Sequence, residues 1–183
     1  MTGIYIAIAV VVIIVLWLIG TYNGLVKIRN MVREAFSTMD VYMKKRYDLI
    51  PNLVETVKGY AKHEAGTLEN VIKARNSAAS ATTVEGKLQS ENALNQTLKS
   101  LFALSEAYPD LKANTNFMDL QKQLQSVEAD IANSRKYYNA VVRDFNTKTE
   151  TFPSVIVASM FGFKHEPMFE ITSDERENVK VQF

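Results

Sequence analysis

The sequence predicts an all-α protein in which an N-terminal transmembrane helix continues into an antiparallel four-helix bundle, followed by an irregular apolar and aromatic tail. Every residue from Ile4 to Ile19 is apolar. Beyond this stretch, apolar residues recur at alternating steps of three and four, which is typical of helices that bury one face. Only seven glycines and four prolines occur in 183 residues, and this scarcity favours long helices. We therefore predict an anchor at 1–22, a bundle at 23–152 and a tail at 153–183.

The first 22 residues predict a membrane anchor. As one helix they would cover roughly 33 Å at ~1.5 Å per residue, which is enough to cross a bilayer. A cleaved signal peptide and a buried core helix are the alternatives. The former normally begins with basic residues, which are missing here, and the latter is rarely so uniformly aliphatic. The anchor residues that we single out are Ile4, Val11, Ile14, Trp17 and Ile19.

The charges that flank the anchor predict its orientation. Lys27, Arg29 and Arg33 follow the apolar stretch, whereas only the terminal amine precedes it. Cytoplasmic flanks of membrane helices carry the excess of Lys and Arg, so we expect the body of the protein in the cytoplasm.

The stretch "KKRYDLIPNL" predicts the first turn of the bundle. Arg46 falls where the apolar stripe of the first helix requires a hydrophobic residue, and Pro51 disfavours helical geometry in the residue before it. Asp48 is suited to cap a new helix start. We therefore predict a tight turn here and a second helix from Leu49 to Ser80. The alternative is one continuous helix kinked at the proline.

Two further helices complete the predicted bundle. Thr82 and Glu85 match the S/T-x-x-E capping box and open a third helix, which Pro109 ends. The three-four alternation from Phe117 to Phe145 holds for about four heptads, as in a coiled coil. This fourth helix is expected to end by Phe152, and its direction would return that residue toward the bilayer.

The predicted topology brings the first turn beside the loop between the third and fourth helices. One structural alternative for Lys44, Lys45 and Arg46 is a solvated helix end whose cations favour the C-terminal helix dipole. Another alternative is a set of inter-helix ion pairs, Arg46 with Asp48 and Arg75 with Glu106, that fix helix register. The functional interpretation is a tip that docks a partner. Its candidate residues are Arg46, Asp48, Pro51, Asn52, Tyr108, Pro109, Asp110 and Lys112.

The residues needed for catalysis or metal binding are scarce. The chain has no cysteine and two histidines, and neither His63 nor His165 follows a glutamate by three residues, as di-metal bundles require. Glycine-rich phosphate loops and nucleophile elbows do not occur. The net charge of +1 argues against nucleic acid as a partner. We predict no catalytic residue, cofactor, metal or small-molecule substrate.

Two blocks of the sequence resemble the LemA family of membrane-anchored bacterial proteins. They are "RYDLIPNLVETVKGYAKHE" and "LFALSEAYPDLKANTNFMDLQKQLQSVEADIANSRKYYNAVVRDFNT", and the likeness runs from Tyr22 to about Phe169. The resemblance implies a helical bundle, a single anchor in the bacterial inner membrane and no established enzymatic activity. It also suggests other membrane proteins as partners, membrane proteases among them.

These observations lead to one functional hypothesis and two rivals. The hypothesis is a non-enzymatic, membrane-tethered scaffold or adaptor that forms homo-oligomers. The first rival is a self-assembling membrane coat or cage held together by the bundle sides and the tail, which particle size in mild detergent would distinguish. The second rival is an enzyme or metal protein, which metal analysis of the purified protein would test. The candidate self-association residues are Phe161, Phe163, Met168 and Phe169.

Overall fold

The computed structural model describes residues 2–169, and these residues are almost entirely helical. Helix accounts for 87% of them, and the described range contains no strand. The elements are α1 (Thr2–Tyr60), α2 (Ala65–Ser80), α3 (Val84–Glu106), α4 (Pro109–Lys112), α5 (Thr115–Glu150) and α6 (Ser154–Phe161). The prediction of an all-helical chain with one long apolar N-terminal helix is confirmed.

The predicted turn ahead of Pro51 is wrong, because α1 continues through the proline to Tyr60. Proline has no N–H, so the carbonyl of Tyr47, four residues earlier, loses its helical partner. The side chain of Arg75 on α2 replaces that partner, since its Nε donates to the Tyr47 carbonyl oxygen at 3.1 Å. The alternative of one continuous helix is the one that the structure adopts.

The first reversal of the chain lies instead at residues 61–64. The Ala61 N–H still bonds to the Val57 carbonyl at 2.8 Å, and the Glu64 N–H bonds to the Ala61 carbonyl at 3.1 Å. The Glu64 carbonyl then accepts from the Leu68 N–H at 3.2 Å, which starts α2. The predicted second helix is therefore divided, because its first twelve residues belong to α1.

The starts of α3 and α5 are set by side-chain caps. Thr83, and not the predicted Thr82, caps α3 by accepting from the Gly86 N–H at 3.1 Å. Asn114 caps α5, since its Oδ1 accepts from the Phe117 N–H at 3.0 Å. Both helices otherwise follow the predicted ranges closely because their apolar periodicity is sustained.

The start of the predicted irregular tail is helical. α6 ends at Phe161 and is capped by Gly162, whose φ of 70° is a left-handed conformation that glycine adopts without strain. Its sequence "SVIVASMF" is apolar on nearly every side, so it carries no helical period for sequence reasoning to detect. Residues 170–183 of the predicted tail lie outside the described residues.

The described residues divide into two compact units, which we treat separately. The first unit combines residues 2–38 with 136–168, and the second combines residues 39–135 with Phe169. The first unit's core includes Leu25, Ala35, Val142, Phe145 and Val157. The second unit's core includes Met39, Ile50, Val57, Val71, Leu94, Leu101, Leu111 and Phe117. In the second unit α2 packs along α3.

Candidate functional site

Arg46 lies in the interior of the second unit and not at an exposed tip. Its side chain is 1% exposed. Nη1 donates to Glu128 Oε1 at 2.8 Å and to Asn95 Oδ1 at 2.9 Å. Nη2 pairs with Glu91, which is itself buried. Arg46 therefore joins α1 to α3 and α5 through a charged network, which we call the Arg46 network (Arg46, Tyr47, Glu91, Asn95 and Glu128).

Tyr47 contributes a second donor to the network. Its hydroxyl donates to Glu91, and burial raises the pKa of Tyr47 to about 12, although the neighbouring Arg46 charge opposes the rise. The phenol therefore remains protonated at physiological pH. It acts as a hydrogen-bond donor to a buried carboxylate and is not an ionised base or nucleophile.

The physical consequence of the Arg46 network is specificity of helix register. Burying an arginine and a glutamate carries a large desolvation penalty, which their attraction offsets only when the geometry and the remaining hydrogen bonds are good. Sliding α1 past α3 would leave these charges buried and unpaired. The network therefore favours one alignment of the helices strongly over its neighbours.

The two ion pairs predicted as register-fixing contacts do not form. Asp48 accepts from Lys44 Nζ at 2.8 Å on the surface of α1 and does not pair with Arg46. Arg75 lies 4.0 Å from Asp48, whereas Glu106 pairs with Lys112. The sequence identified the charged residues but paired them wrongly, because pairing depends on which helix faces become neighbours.

The other tip residues fall into two groups. Pro51 and Asn52 lie inside α1, where Asn52 is exposed and its carbonyl accepts from Thr56 Oγ1 at 2.8 Å. Tyr108 precedes α4, and α4 itself contains Pro109, Asp110 and Lys112.

The segment between α3 and α5 (residues 107–114), which we call the α4 loop, contacts the end of α1 and not its middle. Asn114 Nδ2 donates to the Tyr60 hydroxyl at 2.8 Å. Tyr60 lies roughly 18 Å along α1 from Asp48 at ~1.5 Å per residue. The predicted meeting of the α4 loop with the stretch around Asp48 and Pro51 is therefore wrong, since the α4 loop contacts Tyr60.

A groove between α3 and α5 adjoins the Arg46 network. Its volume is about 410 Å³. Leu98, Phe102 and Leu124 supply apolar surface, and Asn95 and Glu128 belong to both the groove and the network. The remaining lining residues are Lys99, Gln121, Gln125 and Arg135.

The segment after α6 binds to its own chain in the first unit. Phe163 is buried, with its ring centroid 5.9 Å from that of Tyr22 and 6.3 Å from that of Phe145. The guanidinium of Arg29 lies over the Phe163 ring at 4.9 Å from its centroid. The buried Phe163 side chain therefore holds the segment after α6 against α1 and α5.

Asn146 holds the same segment by its backbone. Its Nδ2 donates to the Glu166 carbonyl at 2.9 Å, and its Oδ1 accepts from the Glu166 N–H at 2.9 Å. Tyr138 adds a bond from its hydroxyl to the Pro167 carbonyl at 2.9 Å. The sequence analysis did not identify Asn146 as a binding residue. It could have been recognised as an amide side chain directly after Phe145, on the apolar face of the helix.

The four candidate self-association residues differ in exposure. Phe163 and Phe169 are buried, whereas Phe161 and Met168 are 54% and 36% exposed. Burial against their own chain makes the first two unsuited to contact a second molecule in this conformation.

The anchor residues are all exposed. Ile4, Val11 and Ile19 are more than half exposed, and Ile14 and Trp17 are 49% and 37% exposed. The N-terminal part of α1 is long and apolar enough to cross a membrane, and none of it is buried within the protein. An apolar surface of this extent normally marks a contact with lipid or protein.

The described residues 2–169 contain no group of three or more His, Asp or Glu side chains placed to hold a metal ion. His63 is exposed in the turn after α1. His165 Nε2 lies 3.0 Å from Asn146 Nδ2 and 3.8 Å from a Glu150 carboxylate oxygen.

The fold and its charged interior define a class: an all-helical protein with one N-terminal helix that is apolar enough to span a membrane and a body whose helices are joined by buried polar contacts. Comparison with known proteins identifies the family. The LemA family model matches residues 35–183, so the chain belongs to the LemA family. It is similar to "Protein LemA" of Metamycoplasma hominis, with 25% identity over 166 residues, which cover 88% of this chain and 74% of that protein.

Proposed function

We propose that this chain is a non-enzymatic scaffold or adaptor, tethered by α1 to the bacterial inner membrane, with an antiparallel four-helix body in the cytoplasm. Membership of the LemA family supports the general type of protein. The observation that carries the proposal is that none of the apolar first part of α1 is buried within the protein.

The hydrophobic effect explains why the first part of α1 would enter a bilayer. Each large apolar side chain gains about 1.5–3 kcal/mol on leaving water completely. Ile4 through Ile19 supply a continuous series of such side chains, and the described protein does not cover them. A bilayer about 30 Å thick removes them all from water at once. Trp17 lies near the end of this stretch, where aromatic residues favour the membrane interface.

Contacts within the second unit support the bundle arrangement. Along α1, Asp40 pairs with Lys87 of α3, and Arg46 binds Glu128 of α5. Farther along, Tyr60 bonds to Asn114, just ahead of α5. Residue numbers on α5 thus fall as those on α1 rise, as expected for antiparallel neighbours in a bundle.

The docking surface of the adaptor is proposed to lie at the end formed by Tyr60 and the α4 loop. Tyr60 is 42% exposed. Asp110 and Lys112 are exposed on α4, which ends two residues before the Asn114 that binds Tyr60. An aromatic side chain with neighbouring charges of both signs suits a protein partner, because aromatic residues are enriched in the centres of interfaces. The partner class is another membrane protein.

A membrane-extraction experiment tests the tether. The full-length chain is expected to remain in the membrane pellet after an alkaline carbonate wash. Replacing Ile8 and Ile14 together by arginine should move it to the soluble fraction, because two arginines at the centre of a helix oppose insertion by roughly 5–7 kcal/mol. The matched control replaces Val41 and Met118 by arginine, since these apolar residues are comparably exposed outside the anchor.

The control variant should remain in the pellet. Release of the unmodified chain by carbonate, or full retention of the Ile8→Arg, Ile14→Arg variant, would contradict the proposal.

A further inference from the structure

α6 has one buried face and one exposed apolar face. Val157 and Ala158 are buried against the first unit. Ile156, Met160 and Phe161 are 47%, 65% and 54% exposed. Ser159 is the exposed polar residue of α6, so the outer face carries much more apolar surface than a surface helix normally shows to water.

The segment around α6 is also free of charge. No ionisable side chain lies between Glu150 and Lys164. Phe152, just before the helix, is 82% exposed. The exposed apolar surface therefore begins before α6 and continues along its whole length.

Both ends of α6 lie beside residues 17–25 of α1. Ser154, the first residue of α6, lines a cavity of about 380 Å³ with α1 residues between Trp17 and Leu25. At the other end, the Phe161 ring centroid lies 4.7 Å from that of Tyr22. An eight-residue helix is about 11 Å long at ~1.5 Å rise, and residues 17–25 of α1 cover a similar length. The whole of α6 is therefore held beside this one stretch of α1.

Residues 17–25 lie at the end of the apolar part of α1. Trp17 and Tyr22 are the aromatic residues that would lie at the boundary between lipid and water if α1 spans the bilayer. α6, which is held beside this stretch, would therefore lie at the membrane boundary. Its exposed apolar face would then be available to the lipid.

We propose that α6 is an interfacial helix whose Ile156, Met160 and Phe161 side chains insert into the surface of the bilayer beside α1. This inference rests on the proposed anchoring by α1. The partner is the lipid surface itself, because the exposed face of α6 continues the apolar surface of the anchor. Interfacial helices of this kind bury their apolar face about 5–10 Å into the boundary between headgroups and acyl chains.

Two lysines flank the helix and fit the same partner. Lys148 lines the cavity beside Trp17, and Lys164 follows α6. Both side chains are exposed. Ammonium groups on long side chains reach anionic headgroups while their methylene stems lie along apolar surface. The anchor and α6 would thus hold the first unit to the bilayer at two places.

Tryptophan quenching by brominated lipid tests the position of α6 in the full-length chain. The protein has one tryptophan, Trp17, so Trp17→Phe gives a dark background. Met160→Trp and Ile156→Trp in that background each place a probe on the exposed face of α6. The matched control is Tyr137→Trp, because Tyr137 is 52% exposed on α5 in the same unit. Vesicles contain phosphatidylcholine and phosphatidylglycerol with bromine at a shallow acyl position.

The α6 probes are expected to lose most of their emission in brominated vesicles, as native Trp17 does, whereas the Tyr137→Trp probe keeps its emission. Retained emission from both α6 probes while Trp17 is quenched overturns the inference but leaves the anchor intact. A blue shift without quenching means that protein covers α6, and it overturns the inference too. Quenching of the Tyr137→Trp probe also overturns it, because lipid contact would then not be particular to α6. Retained emission from Trp17 itself overturns both proposals.

Discussion

Arg46 shows how a single charged side chain organises the interior of the second unit. On α1 it follows the buried residues Met39 and Met43 at the three-to-four-residue spacing of a buried helix face. On α3, Glu91 lies three residues before the buried Leu94. Two opposite charges on the apolar faces of two helices are the sequence signal for an internal pair. Glu128, the third charged residue of the network, is half-exposed and gives no such signal.

Loss of the Arg46 side chain is expected to destabilise the protein strongly. Arg46→Met leaves the buried Glu91 carboxylate without its cation, and breaking a buried pair in this way costs about 3–5 kcal/mol. The measurement is the free energy of unfolding by denaturant in detergent solution. The matched control is Lys44→Ala on the same helix, since the exposed Lys44–Asp48 pair contributes at most about 1 kcal/mol.

A second variant separates charge pairing from packing. Arg46→Met combined with Glu91→Met removes both buried charges and should recover a large part of the lost stability. If the single and double variants are equally unstable, the network does not act through charge pairing and our interpretation of it fails.

At the level of the elements, α1 depends on a contact from another helix. Pro51 leaves the Tyr47 carbonyl without a partner inside α1, and Arg75 of α2 supplies one at 3.1 Å. A buried acceptor without a partner costs about 1–3 kcal/mol, so this bond offsets part of the cost of a proline inside the helix. The guanidinium thus compensates for a defect that lies 28 positions earlier in the chain.

A double-mutant cycle measures this compensation. Arg75→Met should reduce the free energy of unfolding by about 1–3 kcal/mol in the natural chain, because the Tyr47 carbonyl is left unpaired. In a Pro51→Ala background the new N–H binds that carbonyl, so Arg75→Met should cost less by about 1 kcal/mol or more. Additive effects of the two substitutions would show that Arg75 does not act through the carbonyl.

Sequence periodicity predicted the helices in which local signals and packing agree. α3 and α5 have sustained apolar series and side-chain caps, and both were predicted nearly in full. The reversal at residues 61–64 has no proline, and the proline that suggested a turn lies inside α1. α6 was missed because an apolar sequence carries no helical period.

For the whole molecule, the adaptor proposal depends on the end formed by Tyr60 and the α4 loop. The sequence predicted that the α4 loop would meet another part of the chain but placed the first turn at Pro51. Because α1 extends to Tyr60, the residue of α1 that contacts the α4 loop is Tyr60 and not a residue near Pro51. The residues proposed for partner docking are therefore Tyr60, Asp110 and Lys112.

Site-specific photo-crosslinking in native membranes tests this docking end. A benzophenone side chain at Tyr60 is expected to form crosslinks to another membrane protein. The same group at Tyr137 should not, although Tyr137 is 52% exposed and Tyr60 is 42% exposed. Crosslinks are detected as shifted bands on gels and identified by mass spectrometry. Equal crosslinking at both tyrosines, or none at Tyr60, would contradict the proposed surface.

The sequence by itself determined the helical class, the apolar start of α1 and the residues suited to helix interiors, because hydrophobic periodicity is a local property of the chain. The tertiary structure decided that Pro51 remains in a helix, that Arg46 pairs with Glu91 and that Asn146 binds the backbone at Glu166. Each of these outcomes depends on a group distant in sequence that satisfies a buried charge or hydrogen-bonding atom. Local patterns record which groups need partners, whereas packing determines which partners they find.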